Sequence, residues 1–307
     1  MNKVSYSFII PHKNCPDLLQ RCVNSIPRRD DVQIIVVDDD SDPEVVDWNS
    51  FKFQDERCIE LVLTKGGHSA GTARNEGLKK AVGKWILFAD SDDFYSKGFL
   101  SVLDNYKDKD LDVLYFCLES IDNETHEHSK LYDDIRVLYD SYFEDKTKLE
   151  RIRYQNSPVM KMTSKELIDQ YHISFEDVIL GNDIWYSYQV GFFAKKIEVI
   201  NDRLYIYCIH SKSTTFHRTV AKDVVQIETY VKQNAFFNFI GHPEWHHNLP
   251  GWIKYHWLNS NHKFKYACAL IANAWRIYKV RNKYVEGIRQ SEIAVQSPAG
   301  VQESSKC

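Results

Sequence analysis

No stretch of this 307-residue chain approaches the ~20 consecutive apolar residues that a membrane-spanning helix requires. The N-terminus offers only Phe8-Ile9-Ile10 before Pro11, too short an apolar core for a secretory signal peptide, so the sequence reads as soluble or peripherally bound. There is no Cys-x-x-C spacing. The seven cysteines (Cys15, Cys22, Cys58, Cys117, Cys208, Cys268 and Cys307) are odd in number and scattered, which argues against a disulfide framework or a cysteine zinc site and predicts reduced thiols in the cytoplasm. Charge of one sign is also missing. With 39 Lys and Arg against 43 Asp and Glu, the formal net charge is -4, so no global field favours nucleic acid and any anionic ligand must be met locally. Internal repeats and low-complexity segments are absent as well.

What is present is a pattern. Over the first 120 residues short apolar runs alternate with helical periodicity, the signature of strands joined by crossover helices. Strands are expected at Val4–Ile10, Val32–Val37, Cys58–Leu63, Trp85–Ala89 and Leu111–Leu118. The run Ile34-Ile35-Val36-Val37 is continuous rather than alternating, as for a strand covered on both faces. Helices are expected after Pro16 and from a Ser69 cap to about Val82. The pattern predicts an α/β fold, a mostly parallel sheet flanked by helices. Residues 121–150 read as a polar, irregular excursion. Beyond them, helices are expected at Ser164–Tyr171 and from Asp183, and strands at Ile173–Phe175, Lys196–Ile200 and Leu204–Ile209.

Chemistry concentrates after the strands. Asp38-Asp39-Asp40 and Asp90-Ser91-Asp92-Asp93 each follow an apolar strand, and ligands of open α/β sheets bind at the carboxyl ends of strands. Asp90 and Asp92 are hard oxygen ligands suited to Mg²⁺ or Mn²⁺, with Asp93 as an extra ligand or an acceptor behind them. The bland alternative is a turn with a helix cap. Three adjacent carboxylates at Asp38–Asp40 repel one another unless something nearby uses them. Arg74, in Ser69-Ala70-Gly71-Thr72-Ala73-Arg74-Asn75-Glu76-Gly77, puts a cation near a helix start, where the macrodipole disfavours it and a bound phosphate would resolve the mismatch.

Taken in order, Phe8-Ile9-Ile10-Pro11, Ile35-Val36-Val37-Asp38-Asp39-Asp40-Ser41, Ala73-Arg74-Asn75-Glu76-Gly77 and Phe88-Ala89-Asp90-Ser91-Asp92-Asp93 resemble the family 2 glycosyltransferases. The resemblance implies a Rossmann-like GT-A fold, inversion at the anomeric carbon, a nucleoside-diphosphate sugar donor (UDP-sugar first) and a divalent metal, Mn²⁺ or Mg²⁺. On it, Pro11, Asp39, Asp40, Arg74, Asp90, Ser91, His210 and Lys212 become donor-binding candidates, with Asp90 and Asp92 at the metal. The family's Asp-Asp-Gly-Ser is here Asp-Asp-Asp-Ser, and its Glu-Asp pair near the acceptor is here Asn182-Asp183. That match makes Asp183 the catalytic base and Trp185 or Tyr186 the aromatic that stacks on an acceptor sugar. The bland alternative for Asp183 is an N-cap.

The implied domains are 1–218, catalytic, with 1–120 on the donor side and 121–218 on the acceptor side; 219–290, a helical aromatic and basic extension; and 291–307, a disordered tail. The basic aromatic helices either pack on the core or touch an anionic membrane from the cytoplasmic side, which suits a glycan or lipid-linked acceptor in polysaccharide synthesis. Two rivals remain. A nucleotidyltransferase would want a Gly-rich, Lys- or Arg-bearing loop where Pro11-His12-Lys13-Asn14 stands, and a non-catalytic nucleotide-sugar-binding module has Asn182 as its one hint.

Overall fold

The computed structural model describes residues 4–67, 69–210, 219–260 and 262–296. The chain forms two compact units, Met1–Ser211 and Lys212–Cys307. The first begins with β1 (Tyr6–His12), α1 (Pro16–Ser25), β2 (Val32–Asp38), β3 (Ile59–Leu63), α2 (Ala70–Lys80) and β4 (Trp85–Phe88). After β5 (Phe94–Tyr95) and α3 (Phe99–Asp104) come β6 (Val113–Asp122), α4 (Asp133–Glu144) and α5 (Leu149–Arg153). β7 (Lys161–Ser164), α6 (Lys165–Tyr171), α7 (Asn182–Phe193) and β8 (Ile197–Ile209) complete it.

Among the described residues the strands form one sheet in the order β3-β2-β1-β4-β7-β6-β8-β5. Its first half is parallel: β1 pairs with β2 on one side and β4 on the other, and β2 with β3. The second half is mixed, with β7 antiparallel to both β4 and β6, β8 parallel to β6 and β5 antiparallel to β8. β1 is buried along its whole length, as expected of a strand covered on both faces, with its polar Ser7 and His12 bonded to Gln33 and Asp38 of β2. The chain leaves β1 toward β2 and β3 and then returns to its other side at β4. That reversal opens a crevice at the carboxyl ends of β1, β2 and β4, where both acidic clusters lie.

Three expectations need correction. Residues 121–150 are not merely irregular: α4 runs through them and buries Ile135 and Tyr139, one turn apart, while packing on β6. Ile173–Phe175 is no strand. Its backbone is instead bonded by the Asn75 side chain, which donates to the Phe175 carbonyl at 3.0 Å and accepts from its N–H at 2.8 Å. The strands expected at 196–200 and 204–209 are one, β8, because exposed Asn201-Asp202-Arg203 is absorbed as a register shift against β6 rather than a turn.

The second unit holds α8 (Val220–Phe239), α9 (Leu249–Asn259), α10 (Lys263–Val280) and α11 (Lys283–Gln296). α8 packs against α10 and α11, burying Ile227, Phe236, Tyr266, Tyr284 and Ile288. α11 continues to Gln296, past the start of the expected disordered tail at 291. Among the described residues no helix is long and apolar enough to cross a membrane.

Candidate active site

The loop after β2 separates its three carboxylates. Asp38 turns inward, where His12 Nδ1 lies 2.8 Å from its Oδ1 and the Ser41 N–H donates to its Oδ2 at 3.0 Å. Burial opposes its charge, but these hydrogen bonds hold its carboxyl below the usual range. His12 Nε2 accepts from the Cys15 N–H at 3.2 Å, so the proton on Nδ1 is the one donated to Asp38. Asp39 is buried beside Lys13, whose amine donates to the Asp39 carbonyl at 3.0 Å. Asp40 sits at φ +58°, the left-handed region where glycine is at ease, and its Oδ2 accepts from the Gly66 N–H at 3.1 Å. That bond lets an aspartate occupy the turn where the family more often has glycine. Pro11 is buried within β1, opposite Val37.

α2 is the clamp between the two halves of the sheet. Ser69 caps it by accepting from the Thr72 N–H, and the hydroxyls of Ser69 and Thr72 donate to Asp177 Oδ1 at 2.9 and 2.7 Å. Gly71 permits the approach, since a Cβ there would stand 2.4 Å from the Glu176 carbonyl oxygen. Arg74 is 5% exposed and reaches both halves: Nη2 donates to Asp90 Oδ1 at 2.5 Å, Nη1 to Asn182 Oδ1 at 2.8 Å. Its guanidinium also lies 5.3 Å from the Phe175 ring centroid. The mismatch read from its position near the helix start is therefore met by a carboxylate and an amide of the protein itself, without a phosphate.

The loop after β4 splits its carboxylates in the same way. Asp90 and Asp92 are 37% and 36% exposed, the first paired with Arg74 and the second with His210, whose Nε2 lies 2.7 Å from Asp92 Oδ2. Asp93 turns inward and is buried. It accepts from the Tyr205 hydroxyl at 2.8 Å and the Cys208 N–H at 2.7 Å, while burial and its neighbours Asp92 and Asp90 push its carboxyl well above the usual range. Asp93 is thus the acceptor behind the pair and not an outward ligand. Ser91 is buried, with its hydroxyl 3.2 Å from Cys15 Sγ. Among the described residues no three His, Cys, Asp or Glu side chains converge as a metal shell. Asp90 Oδ2 and Asp92 Oδ1 nevertheless accept no hydrogen bond from the described residues, so hard oxygen donors remain for a cation that a diphosphate would co-ligate.

Across Arg74 lies the start of α7. Gly181, at φ +71°, precedes the helix without a side-chain cap; Asn182 and Asp183 are its first two residues, so Asp183 is not the N-cap. Asp183 is half-buried. Burial raises its carboxyl above the ordinary aspartate value, Arg74 opposes the rise and Asp90 adds to it. A carboxylate in the first turn of a helix, with a raised proton affinity, is suited to accept a proton.

The family model described as "Glycosyl transferase family 2" matches residues 7–171, more than half of the chain. The chain belongs to glycosyl transferase family 2. Among curated proteins, this glycosyltransferase is 28% identical over 250 residues to "Glycosyltransferase GlyG" of Streptococcus pneumoniae serotype 4, covering 72% of this chain and 77% of the relative. It is 26% identical over 246 residues to "Uncharacterized glycosyltransferase EpsJ" of Bacillus subtilis, covering 76% and 70%. Among solved structures, TarS 1-349 of S. aureus in complex with UDP-GlcNAc superposes with a TM-score of 0.56 at 18% identity, covering 95% of this chain and 91% of that one. At that identity the superposition shows the shared GT-A-type fold.

The structure of this family 2 glycosyltransferase brings Arg74, Asp90, Asp92, His210 and the Asn182-Asp183 helix start into one neighbourhood. It does not do so for every expected residue. Tyr186 is a core residue: its ring is fully buried, stacked on Phe175 at 4.4 Å and edge-on to Phe88, so it does not offer a face to an acceptor sugar. Trp185, the preceding residue, is half-exposed. Lys212 lies outside the described residues. Two side chains were missed in the sequence. The Tyr205 hydroxyl accepts from the Asp90 N–H at 2.9 Å while donating to Asp93, fixing the acidic loop after β4 to β8. Arg21 of α1 donates to the Asp92 carbonyl and, at 2.7 Å, to Asn123. Arg21 falls between the apolar positions Leu19 and Cys22, and that placement was the one available signal.

Proposed function

We propose that this glycosyltransferase moves a sugar from a UDP-sugar, with inversion, to a glycan or lipid-linked acceptor of a surface polysaccharide, with Asp183 as base. The observation that carries the reading is Arg74, one buried guanidinium that joins Asp90 of the acidic loop to Asn182 beside Asp183. A proton acceptor and a carboxylate pair are thereby held across one crevice, as an in-line displacement needs. The acceptor hydroxyl gives its proton to Asp183 as its oxygen bonds to the anomeric carbon, and the bond from that carbon to the diphosphate oxygen breaks. Asp90 and Asp92 would hold Mn²⁺ or Mg²⁺, which supplies positive charge to the departing diphosphate. His210 orients Asp92, Arg74 orients Asp90, and Trp185 is the aromatic assigned to the acceptor ring.

The nucleotide and polymer class follow relatives by name: the TarS structure holds UDP-GlcNAc, and TarS of Staphylococcus aureus is called a poly(ribitol-phosphate) beta-N-acetylglucosaminyltransferase, 26% identical over 66% of this chain and 35% of its own length. We place the reaction in the cytoplasm, in keeping with the free thiols among the described cysteines. Family membership supports this over nucleotidyl transfer. The test is a thermal-shift panel of UDP, GDP, dTDP and CDP with and without Mn²⁺, because a ligand bound only by the folded state raises its apparent stability. A metal-dependent shift with UDP alone is expected. A shift with another nucleotide, or one indifferent to Mn²⁺, would redirect the donor or the metal assignment.

A further inference from the structure

α10 carries apolar residues on two sides. On the inner side Tyr266, Leu270, Asn273 and Ile277 recur every three or four residues, and the helix packs on α8. On the outer side Phe264, Cys268, Ile271, Trp275 and Tyr278 recur at the same spacing and remain in solvent, with Phe264 84%, Ile271 78%, Trp275 66% and Tyr278 54% exposed. The C-terminal end of α9 adds exposed Tyr255, Trp257 and Leu258. A contiguous exposed stripe of large apolar residues is uncommon on a soluble surface and marks contact with something else.

Charge says what that something is. Between Glu244 and Glu286 the sequence has no Asp or Glu, yet it carries seven Lys and Arg in a chain whose net charge is -4. Arg276 is paired with Glu228 of α8, but two of the cations stand with the stripe: Lys279 Nζ lies 5.0 Å from the Trp275 ring centroid, and the Arg281 guanidinium 3.7 Å from that of Tyr278. Two copies of α10 pressed together would set these cations against one another with no carboxylate between them to pair. An anionic lipid surface offers both counterparts, headgroup charge for the cations and an acyl boundary for the rings.

We propose that the outer face of α10, with the exposed end of α9, is a docking surface for anionic phospholipid. Phe264, Ile271, Trp275 and Tyr278 enter the headgroup and acyl boundary, and Lys263, Lys265, Lys279 and Arg281 meet the phosphates. This binding is independent of donor, acceptor and turnover, so its test stands apart from that of the transferase mechanism.

The test is flotation of the full chain with phosphatidylcholine vesicles containing about 30% phosphatidylglycerol, against pure phosphatidylcholine, at low and high salt. The chain is expected to float with the anionic vesicles, at least tenfold less with neutral ones, and less as salt rises. Lys279→Glu with Arg281→Glu should lower partitioning by roughly thirtyfold, and Ile271→Ser with Trp275→Ser should abolish it, with helical circular dichroism unchanged in both. No flotation of the folded wild-type chain, or unchanged flotation of both variants, overturns the proposal. So does a stable oligomer that Ile271→Ser with Trp275→Ser converts to monomer by light scattering, which would make a second copy the occupant.

Discussion

Arg74→Ala should destabilise the fold, not only weaken donor binding. The guanidinium is nearly fully buried and makes two short hydrogen bonds, to Asp90 and to Asn182. A hydrogen bond to a charged group contributes about 1.5–3 kcal/mol, and the contact with the Phe175 face about 0.5–1 kcal/mol. Asp90 is more than a third exposed and rehydrates once its partner has gone, so the full 3–5 kcal/mol typical of breaking a buried pair is not expected. The net loss should be roughly 2–3 kcal/mol, read as a lower urea midpoint at constant slope. A double-mutant cycle with Asp90→Ala should give a coupling of about 1 kcal/mol or more, because each single variant already removes the shared contact. A loss below about 0.5 kcal/mol for Arg74→Ala, or strict additivity in the cycle, would refute the clamp.

Tyr205→Phe removes the donor to Asp93 and the acceptor of the Asp90 N–H, so stability should fall by about 1–3 kcal/mol in urea titration, and metal-dependent nucleotide binding should weaken with it. Asp92→Asn should abolish the Mn²⁺-dependent thermal shift with UDP; a full shift in that variant would remove Asp92 from the metal. Lys161 is buried on β7, donates to the Gln155 carbonyl at 3.2 Å, and burial lowers its amine to about 7 against the favourable charge of Asp183. Below that value the unfolded and folded chains are both protonated and the desolvation cost is fully present, whereas above it the folded chain sheds a proton that the unfolded chain keeps. Stability should therefore rise from pH 7 to pH 9, and Lys161→Met should flatten that rise in urea midpoints measured across the range.

The donor half of the fold was legible because its central strands β1, β2 and β4 are buried and carry the apolar runs Phe8-Ile9-Ile10, Ile34-Ile35-Val36-Val37 and Trp85-Ile86-Leu87-Phe88, and because Ser69 and Pro16 mark helix starts. The second half was less so. Ile173–Phe175 has strand composition, but Asn75, a hundred residues earlier, claims its backbone, and no local pattern carries that information. Asn201-Asp202-Arg203 looks like a turn and is absorbed as a bulge, which only the neighbouring β6 decides. At the site, the outward carboxylates Asp90 and Asp92 were readable from their spacing after a strand. The inward turn of Asp93 and Asp38 was not, because it depends on Tyr205 and His12 from other strands. Tyr186 was misassigned for a simple reason: α7 is apolar nearly all round, so its periodicity does not say which aromatic faces the core and which the crevice.

Asp183 is the residue on which transfer depends most directly. Asp183→Asn keeps size and the helix start while removing the proton acceptor, so the variant should fold, bind Mn²⁺ and give the wild-type thermal shift with UDP. UDP release in the presence of a true acceptor should nevertheless fall by roughly a hundredfold or more, and added acceptor should not restore it. In the wild-type enzyme the acid limb of kcat/KM should lie above the ordinary aspartate value, because burial raises the Asp183 carboxyl, and that limb should vanish from the residual activity of the variant. Near-normal transfer by Asp183→Asn, with its acid limb intact, would contradict the account.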